Sequence, residues 1–139
     1  MFTGIIEAIG SIRAMTPKGG DVRVYVATGK LDLGDVKLGD SIAVNGVCLT
    51  VVERGGMAGD AWFDVDLSGE TVSRTVPGMW NAGALLNLEP SLRLGDELGG
   101  HIVTGHVDSV GEVVKVSQDG GSWRIAMAKE PDRSAGITS

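Results

Sequence analysis

Cys48 and Thr50 stand two residues apart, just after Asn45-Gly46. Asn-Gly is the strongest short signal for a two-residue hairpin turn. On a strand, side chains at that spacing share a face. A thiol and a hydroxyl would then point at a ligand if the face lines a barrel mouth. The competing reading makes Cys48 a small inert core residue, as free cysteines most often are. His106 is one of two histidines, the other being His101. Histidine changes charge near neutral pH and is the usual proton shuttle; a plain surface histidine is the alternative. Five apart on a strand, the two would face opposite sides, so a shared zinc is not expected and no metal site is assigned. Asp66-Leu67-Ser68-Gly69-Glu70-Thr71 sets carboxylates, hydroxyls and backbone N–H groups at a strand-to-helix junction. Such a junction can hold the polar edge of a ligand, or simply cap a helix. Ser41 and Thr3 read first as turn or strand residues. The chain has no glycine-rich phosphate fingerprint, nucleophile elbow or metal-spaced Cys/His set.

The elements that must position these residues are short and β-rich. Val22 to Ala27 alternates apolar residues with Arg23 and Tyr25, and Phe63, Val65 and Leu67 alternate with Asp64 and Asp66. Both patterns predict half-buried strands. Ile42-Ala43-Val44 and Val47 to Val52 flank the Asn-Gly turn, and Ala84 to Leu88 is a further strand. Ile5 to Ile12 is less regular, and Gly10 marks a bulge or a close backbone approach. One short helix is expected, capped by Ser68 with Glu70 in its first turn and stopped by Pro77-Gly78. Residues 1 to 89 therefore predict about six strands and a helical turn, the spacing of a small all-β barrel.

The chain also begins to repeat itself. Phe2-Thr3-Gly4-Ile5-Ile6 reappears as Val103-Thr104-Gly105-His106-Val107, at a constant offset of 101 residues. Gly19-Gly20 falls on Gly120-Gly121, Arg23 on Arg124, and Val22, Val24 and Val26 on Trp123, Ile125 and Met127. An ungapped repeat predicts two copies of one fold. The boundaries expected are a first barrel at 1–89, a linker at 90–100 and an incomplete second barrel at 101–139. The second copy supplies about two strands of six, too few to stand alone. The polar tail from Lys129 to Ser134 is expected to be mobile.

Composition narrows the partners. At 139 residues the chain can bury one good core. A formal charge of -6 argues against a nucleic acid or an acidic membrane, both of which need a basic face. The single cysteine excludes an internal disulfide and suits a reducing compartment. No apolar run is long enough to span a bilayer, and no basic-then-apolar leader opens the chain. A cytoplasmic protein is expected.

Four blocks occur in order: Met1-Phe2-Thr3-Gly4-Ile5-Ile6, Asn45-Gly46-Val47-Cys48-Leu49-Thr50-Val51, Ser68-Gly69-Glu70-Thr71 and Gly99-Gly100-His101-Ile102-Val103-Thr104-Gly105-His106-Val107. Together they resemble riboflavin synthase of the α-chain type, the lumazine-binding double-barrel family, from residue 1 to about residue 128. The resemblance implies two six-stranded Greek-key barrels and a C-terminal helix that builds a homotrimer. It implies dismutation of two 6,7-dimethyl-8-ribityllumazine molecules to riboflavin and 5-amino-6-(ribitylamino)uracil, the last step of riboflavin biosynthesis, with no cofactor or metal. It implies an active site shared between the first barrel of one subunit and the second barrel of another.

Carried over by position, the implied pocket is Gly4, Ile5, Ile6, Cys48, Leu49, Thr50 and Asp66, Leu67, Ser68, Gly69, Glu70 and Thr71. Gly105, His106 and Val107 would reach it from the second copy, and Phe2 and Ser41 match positions near the reaction. One lumazine must lose a proton from its acidic C7 methyl, and the other must accept a nucleophile at C7. Cys48 or water can serve as that nucleophile, and His106 is the candidate proton shuttle. After about Lys129 the family pattern stops, through an engineered boundary, a frameshifted end or natural truncation. A chain ending there would be expected to bind without turning over, and its first barrels could pair as a two-fold homodimer. The alternatives are a non-catalytic lumazine- or flavin-binding protein of the same superfamily and a structural barrel without a ligand.

Overall fold

The computed structural model describes residues 1–57, 59–93, 96 and 102–129. It divides into two compact units, Met1–Val107 and Asp108–Ser139. The first holds six strands: β1 (Ala8–Lys18), β2 (Asp21–Ala27), β3 (Ser41–Val44), β4 (Val47–Gly55), β5 (Trp62–Leu67) and β6 (Leu85–Pro90). A helix, α1 (Gly69–Arg74), lies between β5 and β6. The strands close into an all-antiparallel barrel in the order β1-β2-β5-β4-β3-β6. The crossover from β2 to β3 gives the Greek-key connectivity expected. Closure is completed by β1 against β6, from Ala8 opposite Leu88 to Ser11 opposite Leu85.

Period-two alternation fills the barrel. Phe63, Val65 and Leu67 of β5 point inward, as do Val24 and Val26 of β2 and Val47, Leu49 and Val51 of β4. They meet Ile12, Ile42, Leu86 and Leu88 in one core, joined by Leu31, Leu33 and Val36 from the β2–β3 connection. Asn45 (φ 50°) and Gly46 (φ 81°) both lie in the left-handed region, the geometry of a type I′ hairpin turn. Gly10 is a close approach: a Cβ there would sit 2.4 Å from the Ala27 carbonyl oxygen and 2.7 Å from Leu88 Cδ1. A bulge follows between Ile12 and Ala14.

Two boundaries differ from the sequence reading. The helix ends at Arg74, before Pro77-Gly78: the backbone at Thr75 is already extended (φ -115°, ψ 171°), and the Thr75 hydroxyl donates to the Thr71 carbonyl at 2.8 Å. Strand β6 runs on to Pro90, because β3 pairs with it as far as Ile42 opposite Pro90. By packing, the first unit runs to Val107, and the described residues 102–107 of the second sequence copy fall within it.

The second unit carries a hairpin of β7 (Glu112–Asp119) and β8 (Ser122–Ala128). Its register is that of β1–β2 displaced by the repeat offset. Ile12 faces Val26 and Val113 faces Met127; Met15 faces Val24 and Val116 faces Ile125. The bulge recurs between Val113 and Lys115. Gly19 (φ 65°) and Gly120 (φ 63°) make the same turn. The repeat is therefore one of backbone geometry, down to an irregular step in the ladder. His101, Gly99-Gly100 and the tail after Lys129 lie outside the described residues.

Candidate functional site

Strand β4 presents Cys48 and Thr50 on its outer face because Val47, Leu49 and Val51 occupy its inner one. Cys48 is thus exposed and is not an inert core residue. Leu49 is buried in the core, so it can meet a ligand only through its backbone. Ser41 on β3 lies directly opposite Thr50, and Ala43 lies opposite Cys48. Ala43 in turn faces Glu89 on β6, so Cys48, Ala43 and Glu89 form a row across three strands.

Two extended segments cross this region. The lead segment, residues 1–7, is tied down by Leu92 N–H donating to the Met1 carbonyl and Glu7 N–H to the Leu88 carbonyl, at 2.8 and 2.9 Å. Phe2 is wholly buried and exchanges two main-chain hydrogen bonds with Val103. Beyond Val103, the Gly105 carbonyl accepts the Cys48 N–H at 2.8 Å. This bond sets Gly105 against Cys48 and brings His106 and Val107 to the barrel that carries the thiol; Val107 packs on the core. Gly105 has φ 80°, and a Cβ there would lie 2.7 Å from Cys48 Cβ and 3.1 Å from Phe2 Cε2. Only glycine fits both the conformation and the space.

Phe2, Cys48, Gly105 and His106 are therefore gathered from three distant stretches of chain. Gly4 turns with φ 88°, and it leaves Ile5 and Ile6 about half exposed (51% and 52%) despite their apolar side chains. Exposed isoleucines on a turn fixed by hydrogen bonds suit contact with an apolar ring. A cleft of about 290 Å³ is lined by Gly4, Ile6, Ala43, Asn45, Asn87 and Glu89 among others. A second, of about 510 Å³, is lined by Thr3, Ile5 and Glu89 and by the β2–β3 connection.

The Asp66–Thr71 stretch is placed differently. Val51 pairs with Val65, so this stretch leaves the sheet beside the strand bearing Cys48 and Thr50. Leu67 is fully buried. The Asp66 carboxylate takes two hydrogen bonds from Arg23, at 2.8 and 3.1 Å. That pairing holds Asp66 below the usual carboxylate range. Ser68 accepts the Thr71 N–H at 3.1 Å, a helix cap that needs no ligand. Gly69 and Glu70 are exposed, with Glu70 3.9 Å from Arg74.

Sequence reasoning missed Glu89. Its side chain is buried (5% exposed) and accepts from Thr3 N–H, Thr3 Oγ1–H and Gly4 N–H at 2.8, 2.9 and 3.0 Å. Outward alternation after Leu88 predicts a solvated glutamate there. Only the return of the lead segment, more than eighty residues away in sequence, covers it.

A closed six-stranded Greek-key barrel with this gathered outer surface defines a class of small all-β barrels. The lumazine binding domain model matches residues 3–91, and the chain belongs to that family. It is 50% identical over 120 residues to riboflavin synthase of Photobacterium phosphoreum, covering 86% of this chain and 53% of that protein. It is 44% identical over 128 residues to that of Photobacterium leiognathi, covering 92% and 57%. It is 42% identical over 130 residues to that of Brucella abortus, covering 91% and 63%. The chain spans little more than half the length of these relatives. Among solved structures, LumP complexed with riboflavin superposes with a TM-score of 0.72 at 26% identity, covering 91% of this chain and 66% of that one. LumP complexed with 6,7-dimethyl-8-(1'-D-ribityl) lumazine gives 0.71 at 26% identity, covering 91% and 68%. No helix among the described residues is long and apolar enough to cross a membrane.

Proposed function

We propose that this chain binds 6,7-dimethyl-8-ribityllumazine on its first barrel and serves riboflavin synthase chemistry. In that reaction two lumazines exchange a four-carbon unit to give riboflavin and 5-amino-6-(ribitylamino)uracil. The observation that carries the reading is the Cys48 N–H to Gly105 carbonyl bond, which sets the exposed thiol strand beside the turn bearing His106. The residues around this bond are those the family resemblance assigns to the pocket. The identity of 42–50% to riboflavin synthases, against 26% to LumP, favours the enzyme over a passive binder.

The chemistry divides among these residues. The exposed Ile5 and Ile6 supply apolar contact for a flat ring. Thr50 and Ser41, opposite one another, offer hydroxyls to its polar edge or to the ribityl chain. His106 takes the proton from the C7 methyl of one lumazine, making it the carbon nucleophile. Cys48, as thiolate, or water adds at C7 of the other. Holding the two rings face to face supplies much of the acceleration, by removing the entropy of their encounter. A second barrel must contribute the other ring, from a homotrimer or from a two-fold pair of first barrels.

The test is to mix the protein with 6,7-dimethyl-8-ribityllumazine and follow absorbance and fluorescence. Saturable change in lumazine emission with riboflavin accumulating supports the enzyme. Saturable change without product leaves a binding module, the role that the LumP complexes make concrete for a relative. No change at either signal overturns the reading.

A further inference from the structure

We propose that Glu89 is the positioning residue of this site: its buried carboxylate clamps the Thr3-Gly4 corner and so holds both the lead segment and the Gly105-His106 turn in place. The ligand-binding part of this inference rests on the lumazine reading above; the clamp itself does not. A buried carboxylate is costly unless its oxygens are satisfied, and charge-assisted hydrogen bonds are the strong ones. Glu89 receives three such bonds, and all three come from Thr3 and Gly4. The Thr3 hydroxyl then accepts the Ile5 N–H at 3.0 Å, which carries the constraint one residue further.

Three consequences follow from where the corner sits. Gly4 is held at φ 88°, so the chain turns there and presents Ile5 and Ile6 to different clefts. Glu89 lines both clefts, so the clamped segment is the wall between them. Phe2, one residue before the corner, pairs with Val103, and two residues beyond Val103 the Gly105 carbonyl takes the Cys48 N–H. The path from Glu89 to the Cys48–His106 side of the site is thus continuous in hydrogen bonds and two short stretches of chain. The second copy repeats the corner, with Gly105 at φ 80° and the Thr104 hydroxyl accepting the His106 N–H at 3.3 Å.

Glutamine at position 89 keeps the shape but sets an amide donor against the Gly4 N–H. The experiment compares the intact chain with Glu89→Gln, Thr3→Val and Thr3→Ser. Amide hydrogen exchange is read at Cys48 and Val103 against Val65 in the core, together with lumazine affinity by fluorescence. The expected result for Glu89→Gln is exchange faster by ~10-fold or more at Cys48 and Val103 with Val65 unchanged, since local opening exposes only those bonds. Lumazine affinity should fall ~10-fold, as for loss of a charged hydrogen-bond partner. Thr3→Val should follow in the same direction and Thr3→Ser should restore both signals. If Glu89→Gln fails to fold, the Thr3 pair carries the test. Unchanged exchange at Cys48 and Val103, or acceleration equal at Val65, overturns the clamp. Should the intact chain not bind lumazine while the exchange pattern appears, the functional reading fails and the clamp stands.

Discussion

Phe2 and Val103 occupy the same position in two copies of one sequence motif, and they hydrogen-bond to each other. Phe2 N–H donates to the Val103 carbonyl at 2.8 Å and Val103 N–H donates to the Phe2 carbonyl at 2.7 Å. A hydrogen-bonded antiparallel pair is two-fold symmetric. The two lead segments are thus related by a local two-fold through this pair. Truncation of the buried Phe2 ring removes one side of the packing. Phe2→Ala should cost about 3 kcal/mol of stability in urea unfolding, in the range for large-to-small changes. Amide protection at Val103 should drop with it.

Gly105 is fixed by both conformation and space. Gly105→Ala places a methyl 2.7 Å from Cys48 Cβ at a positive φ. It should destabilise the fold by about 2 kcal/mol, the scale of a strained backbone position. Gly20→Ala is the control: nothing lies within 4 Å and its φ is not positive, so its melting temperature should hold.

If Cys48 and His106 act as proposed, Cys48→Ser and His106→Gln should both lower riboflavin formation, and Cys48→Ser, at an exposed side chain, should leave the melting temperature almost unchanged. His106→Gln should reduce the rate ~100-fold or more, the usual scale for a general base. A thermal melt and a riboflavin absorbance assay check both. Full activity in both variants would remove these residues from the mechanism.

Asp64 carries a strain that mutation should relieve. Its Oδ1 is buried without a hydrogen-bond partner among the described residues, and burial pushes its pKa up, against the pull of the Arg23 charge and with the push of Glu53 opposite it. A carboxyl raised in the folded state stabilises below its unfolded pKa, and that contribution is lost as pH rises through the folded value. Asp64→Asn should therefore melt a few degrees higher at pH 7, with the gain shrinking toward pH 4. A melting series across pH reads the sign directly.

The Arg23–Asp66 pair should behave oppositely. Asp66 is lowered first by its hydrogen bond from Arg23. Its contribution is present above the unfolded carboxylate pKa and is lost as pH falls through the lower folded value. Arg23→Gln should flatten the acid limb of the stability profile below about pH 4. Because the pair is part exposed, high salt should narrow the difference between the two proteins.

The barrel itself was legible in the sequence because its causes are local. Alternation at Val22 to Ala27 and Phe63 to Leu67, the Asn45-Gly46 turn and the Ser68 cap each need only neighbours a few residues away. The repeat was legible too, and the matched bulges at Ile12/Ala14 and Val113/Lys115 confirm it in the backbone. Cys48 was ambiguous because one strand has two faces, and only the partners around it decide which is the core. The family resemblance implies Asp66 for the pocket, and the pairing of its carboxylate with Arg23 on the neighbouring strand comes only from the closed sheet. Glu89 was invisible because its three donors come from Thr3 and Gly4, at the far end of the first copy. Local propensity and periodicity thus determined the strands and turns, and self-similarity at an offset of 101 residues determined the copies. Which faces are covered, and which polar groups are satisfied, depends on segments brought together only when the barrel closes, and tertiary structure alone decided those.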